Sequence, residues 1–119
     1  MPNPPIVLVV EDETLVREMM VMELEEAGFS VLEAEDGDAA MAIVAGDGPI
    51  DLLFTDIRLG NGPDGWAVAL QARALRPALR VIYATGYAPD VPDLVEGGRF
   101  FKKPYMPDEV IGAMADMLG

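Results

Sequence analysis

The run Ile6-Val7-Leu8-Val9-Val10 is short, unbroken and rich in β-branched residues, and it stops at the acidic pair Glu11-Asp12. A strand wetted on one face alternates apolar with polar residues. An unbroken run of this length fits a parallel strand covered on both faces. Parallel neighbours need crossover connections, usually helices, so this one segment commits the chain to βαβ units and right-handed crossovers. The rest of the sequence follows suit. Glu13 to Ala27 carries apolar residues at helical spacing and meets a C-capping Gly28. Phe29 to Ala34 reads as a strand, and its charged Glu33 suggests an edge position. Asp38 to Ala45 reads as a short helix. Asp51 to Thr55 is a strand running into Asp56, and the glycines and prolines from Gly60 to Gly65 form a loop. Trp66 to Arg76 reads as a helix stopped before Pro77. Arg80 to Ala84 and Arg99 to Lys102 are the fourth and fifth strands, and Pro107 to Leu118 is a last helix with proline in its first turn. The fold class is therefore α/β, a mostly parallel sheet with helices on both faces. The stretch Ala88 to Gly98 holds Pro89, Pro92, Gly97 and Gly98, so only a short or irregular helix is expected there.

Charge and composition remove several classes of function. The chain of 119 residues suits one domain, 1–119, without repeats or linkers. Its 21 acidic and 8 basic residues give a formal charge of −13, which repels nucleic acid and anionic lipid and argues against partners of either kind. The same surface also serves simple solubility. No histidine is present, so a His-based triad or metal site is ruled out, and no cysteine is present, so thiol chemistry and disulfides are ruled out too. The start shows no secretion signal and no segment is long enough in apolar residues to span a membrane, which fits a cytoplasmic location.

The polar residues left to explain fall at matching places. Glu11 and Asp12 follow strand one, Asp56 ends strand three, Thr85 ends strand four and Lys103 ends strand five. Ligands of open parallel sheets bind outside the carboxyl ends of the strands, so all five would meet at one edge. Crowded carboxylates repel unless a cation sits among them, and an all-oxygen set suits Mg2+. A carboxylate can attack phosphorus to form an aspartyl phosphate, with a lysine and a metal neutralising the transferring group. Each residue also has a plainer reading: a helix cap for the acidic pair, a turn former for Asp56, a strand-end hydroxyl for Thr85, a surface lysine for Lys103. The conjunction, in order and at strand ends, favours the chemistry.

The segments IVLVVEDE (6–13), LLFTDIRLG (52–60), PDGW (63–66), VIYATGYA (81–88) and FFKKPY (100–105) resemble the receiver domain of two-component response regulators, over essentially the whole chain. The resemblance implies a flavodoxin-like doubly wound sheet of five strands in the order 2-1-3-4-5. It implies that Glu11, Asp12, Asp56 and the backbone carbonyl of Arg58 hold Mg2+, and that Asp56 is phosphorylated. Thr85 and Lys103 would contact the phosphoryl group, and Thr85 with Phe100 would form the switch. Lys103-Pro104 corresponds to a bond that is usually cis, while strand alternation points Lys102 elsewhere. The implied partners are a histidine kinase or a histidine phosphotransfer protein. The implied role is that of a phosphoacceptor assisting only its own phosphorylation and dephosphorylation, not that of an enzyme with a separate substrate. Ala-Thr-Gly followed by an aromatic (84–87) is similar to single-domain receivers and to receivers of hybrid histidine kinases. The Thr85–Lys103 span is shorter than usual for the family by roughly one helical turn, which puts the usual fourth helix and output face in question.

Three other readings fit less well. An aspartate-nucleophile phosphatase of the haloacid dehalogenase type needs a second Asp where this chain has Arg58. A flavodoxin-type FMN protein needs a phosphate loop where Glu11-Asp12-Glu13 stand. A non-phosphorylated pseudo-receiver usually lacks one of the residues present here.

Overall fold

The computed structural model describes residues 3–86 and 94–119. Five parallel strands, β1 (Ile6–Val10), β2 (Ser30–Ala34), β3 (Leu52–Asp56), β4 (Arg80–Thr85) and β5 (Arg99–Lys102), form one sheet in the order β2-β1-β3-β4-β5. The helices are α1 (Thr14–Glu26), α2 (Gly37–Val44), α3 (Gly65–Leu75) and α4 (Pro107–Leu118). The sheet order is the one the resemblance implied, with β2 at an edge as Glu33 suggested.

Strand alternation divides the core in two. Leu8, Val10, Leu53, Val81 and Tyr83 face α2 and α3, whose Ala40, Val44, Val68, Ala69 and Ala72 complete one cluster. Val7, Val9, Leu52, Phe54 and Ile82 face the other way onto Met20 and Leu24 of α1 and Val110 and Met114 of α4. β1 and β3 are apolar on both sides because both sides are covered.

The helix ends follow local chemistry. Asp36 and Asp64 cap α2 and α3 by accepting from the Ala39 and Ala67 N–H groups at 2.8 and 2.9 Å. α1 ends in a Schellman turn: Gly28 sits at φ 97°, its N–H donates to the Glu25 carbonyl, and the Phe29 N–H donates to the Leu24 carbonyl. Between β4 and β5 the expected irregular helix covers Ala88 to Gly98. Its part from 88 to 93 lies outside the described residues. Residues 94–98 form a non-helical turn, with Gly97 at φ 77° and the Gly98 N–H on the Val95 carbonyl at 2.8 Å.

Candidate functional site

All the polar strand-end residues converge at the carboxyl edge of the sheet. Register explains it: Val10 pairs with Thr55, Asp56 with Ala84, and Thr85 with Lys102, so β1, β3, β4 and β5 end at one level. The Lys103 N–H donates to the Thr85 carbonyl at 2.8 Å and continues the β4–β5 ladder by one residue. One open cleft is lined by Asp12, Glu13, Asp56, Arg58, Thr85, Gly86 and Lys103. Lys102 is exposed, as alternation requires, and the Lys103-Pro104 peptide is cis.

Lys103 organises the charges. Its Nζ donates to Glu11 Oε1 at 2.6 Å and to Asp56 Oδ2 at 2.9 Å. Both carboxylates are almost fully buried. The second oxygens are held as well: the Ile57 N–H donates to Asp56 Oδ1 at 2.8 Å, and the Glu13 N–H to Glu11 Oε2 at 3.1 Å. Burial alone would lower the lysine pKa, but the hydrogen bonds to Glu11 and Asp56 outweigh it and raise it well above the ordinary value. Asp12 is more exposed. Partial burial, then the hydrogen-bonding and charge of neighbouring Glu11, push its pKa upward.

The site tolerates little else at its base. α3 begins directly under Asp56: a Cβ on Gly65 would come within 2.1 Å of the Asp56 carbonyl oxygen, and the Gly65 N–H donates to the Ile57 carbonyl at 2.8 Å. The loop from Arg58 to Asp64 is tied at its other side to α2, where the Gly37 N–H donates to the Asn61 carbonyl at 3.1 Å.

One carboxylate oxygen each from Glu11, Asp12 and Asp56 lies within 4.8 Å of the others. A hard divalent ion with oxygen ligands suits that set, since it would satisfy three mutually repelling groups while keeping some waters. The donor chemistry therefore fits the Mg2+ that the resemblance implied.

Several residues near the site had no signal in the sequence. Arg17 donates from Nη1 to the Glu11 carbonyl at 2.8 Å and from Nε to Glu33 Oε1 at 3.3 Å. Thr55 donates to the Asp56 carbonyl at 2.8 Å. The Tyr105 ring meets Phe54 edge-on at 5.7 Å, and burial first of all pushes its phenol up to about 12. Tyr83, fully buried, stacks against Trp66 at 4.8 Å and accepts from the Val95 N–H at 3.0 Å. Phe100 is half-buried against the α2–α3 side of the core.

A doubly wound parallel sheet whose carboxyl edge gathers three acids beside one lysine is the frame of a response regulator receiver domain. The chain belongs to the response regulator receiver domain family of two-component systems, whose family model matches residues 7–115. It is similar to the response regulator receiver protein CpdR of Brucella abortus, at 29% identity over 94% of this chain and 95% of that one. Two longer curated relatives are matched over only 27% and 49% of their own length. Among solved structures, a response regulator receiver protein from Sinorhizobium medicae superposes with a TM-score of 0.87 at 30% identity, covering 98% of this chain and 95% of that one. The response regulator TrrA of Thermotoga maritima, solved in complex with Mg(2+)-BeF, gives 0.82 at 28% identity, covering 95% and 98%.

Proposed function

We propose that Asp56 accepts a phosphoryl group from a phosphohistidine on a histidine kinase or phosphotransfer protein, and that the change it makes at the cleft switches a partner-binding surface. The observation that carries this reading is the placement of Lys103 Nζ between Asp56 and Glu11, beside Asp12. A buried carboxylate at a charge-neutralised edge is a nucleophile that a phosphate dianion can approach. An oxygen of Asp56 attacks phosphorus as the phosphorus–nitrogen bond breaks, the imidazole keeps that electron pair, and an acyl phosphate remains. Bound Mg2+ would supply electrostatic stabilisation of the phosphoryl oxygens, held by Glu11, Asp12, Asp56 and the Arg58 carbonyl. Lys103 then exchanges its hydrogen bond with Asp56 Oδ2 for one to a phosphoryl oxygen. The Thr85 hydroxyl, at the end of β4 in the same cleft, gains a new acceptor there and draws β4 with it. Phe100 lies on the neighbouring strand, where that movement is felt.

On this reading the chain is a phosphoacceptor that promotes only its own phosphorylation and dephosphorylation. Incubation with acetyl phosphate and Mg2+ should add one phosphoryl group in wild type and none in Asp56→Asn, read by intact-mass spectrometry. No adduct in wild type, or an adduct that persists in Asp56→Asn, would refute the assignment.

A further inference from the structure

We propose that Arg17 is a positioning residue for the acidic site, holding the Glu11-Asp12 turn from behind so that both carboxylates stay turned toward Asp56. The proposal rests on the reading of that turn as the metal-holding element. Arg17 touches neither the acceptor nor any group transferred to it, and acts through the Glu11 carbonyl.

The need for such a residue follows from how the chain leaves β1. The β1–β2 ladder extends one residue past the strand, through the Glu11 N–H on the Ala34 carbonyl at 3.1 Å. The chain then turns through three consecutive acids, Glu11, Asp12 and Glu13, which repel one another. The side chain of Glu13, the N-cap of α1, makes no capping bond. The Glu13 N–H is instead bonded to Glu11 Oε2. Glu11 is therefore the keystone of the turn, gripped at its carboxylate by Lys103 and the Glu13 N–H. Its carbonyl accepts from Arg17 Nη1 at 2.8 Å.

Arg17 is well placed for this. Helical side chains lean toward the helix N-terminus, so a residue in the first turn of α1 reaches back over the turn that precedes it. The Glu33 carboxylate on edge strand β2 accepts from Nε and fixes the guanidinium plane. The Arg17 side chain is only 13% exposed, while that of Glu33 is 48% exposed, so the inner bond is the sheltered one. A lysine would keep the charge but could not hold both partners in the same fork.

Charge and positioning make opposite demands. A cation behind the turn disfavours binding of a second cation in front, so loss of the charge alone would strengthen metal binding. Loss of positioning would weaken it. The sign of the effect therefore identifies the cause.

The test is a Mn2+ titration of the unphosphorylated full chain followed by electron paramagnetic resonance, with the Mg2+ dependence of acetyl phosphate phosphorylation as a second readout. Arg17→Met should bind Mn2+ about tenfold more weakly than wild type, the scale seen when groups that orient metal ligands are removed. Arg17→Lys, which keeps the charge without the fork and guards against a folding defect in Arg17→Met, should also bind Mn2+ more weakly than wild type. At saturating Mg2+ the phosphorylation rate of both variants should return to near wild type. Equal or tighter Mn2+ binding in both variants, or a lowered saturating rate with unchanged metal affinity, overturns the proposal. Equal affinity beside an intact Asp56 adduct overturns this proposal alone, whereas a wild-type chain that binds no Mn2+ overturns the metal reading with it.

Discussion

Replacing Lys103 by methionine keeps the length of the side chain and removes a cation bonded to both Glu11 and Asp56. Two nearly buried carboxylates then face each other with Asp12 beside them, all within 4.8 Å. At that separation, with an effective dielectric constant near 20, each charged pair repels by about 3.5 kcal/mol. That is the scale of the roughly 3–5 kcal/mol lost when one member of a buried ion pair is removed. Lys103→Met should therefore lose about 3 kcal/mol in EDTA at pH 7, a large share of the ~5–15 kcal/mol that holds a typical domain. Urea unfolding followed by Trp66 fluorescence and circular dichroism measures it. Millimolar Mg2+ should restore most of the loss, because the ion takes over the neutralising role, and should stabilise the variant more than wild type. The folded pKa of Lys103 is raised, so its contribution is fully present below the ordinary lysine value and is lost only as pH rises through the folded one. A deficit of equal size with and without Mg2+ would mean that Lys103 acts by packing and that the charge reasoning is wrong.

Two further changes probe the surroundings. The Asp12 pKa is raised in the fold, so its ionisation opposes folding and stability falls as pH rises through and beyond the ordinary aspartate value. Asp12→Asn should raise the melting temperature of the metal-free protein at pH 7. The gain is at most about 1 kcal/mol after solvent screening. The variant should also be less stabilised by Mg2+ than wild type, and calorimetry showing a lower melting temperature in EDTA would contradict this. Tyr83→Phe removes the acceptor of the Val95 N–H. It should cost about 1 kcal/mol and speed amide exchange at Val95, and unchanged exchange would show that the bond does not hold the segment before β5.

Much of this architecture is legible in the sequence because strands covered on both faces leave unbroken apolar runs, as in β1 and β3. The boundaries were less legible. Helical spacing predicts α3 over Trp66 to Arg76, but the helix begins at Gly65, where Asp64 supplies the cap and the absent Cβ admits the Asp56 carbonyl. It ends at Leu75 because Arg76 adopts φ −133° ahead of Pro77. The strand order came from family resemblance, since no local pattern encodes which parallel strands are neighbours. Glu11, Asp12, Asp56, Thr85 and Lys103 could be found because strand ends bring polar groups to one edge. Arg17 and Tyr83 could not. Helical periodicity places Arg17 on a polar face, and an apolar strand absorbs Tyr83 as one more core residue; their contacts appear only once β2 and the segment before β5 are placed. Trp66 follows the loop after Asp56 in sequence. In the fold it lies against Tyr83 and beside Leu70, Leu94 and Val95, one step removed from the acids.

The contact between Gly65 and the Asp56 carbonyl has a consequence for how such a domain can be rewritten. The peptide segment between Asp56 and α3 is held by backbone hydrogen bonds at Ile57–Gly65 and at Gly37–Asn61. Arg58, Gly60 and Asn61 in that stretch are exposed. Arg58 would lend only its carbonyl to a metal. The stretch thus behaves as an interchangeable label mounted on a fixed bracket. On the proposed reading its outward chemistry can be exchanged to suit a new phosphodonor while Asp56 stays in place, but no side chain larger than hydrogen can be fitted at Gly65.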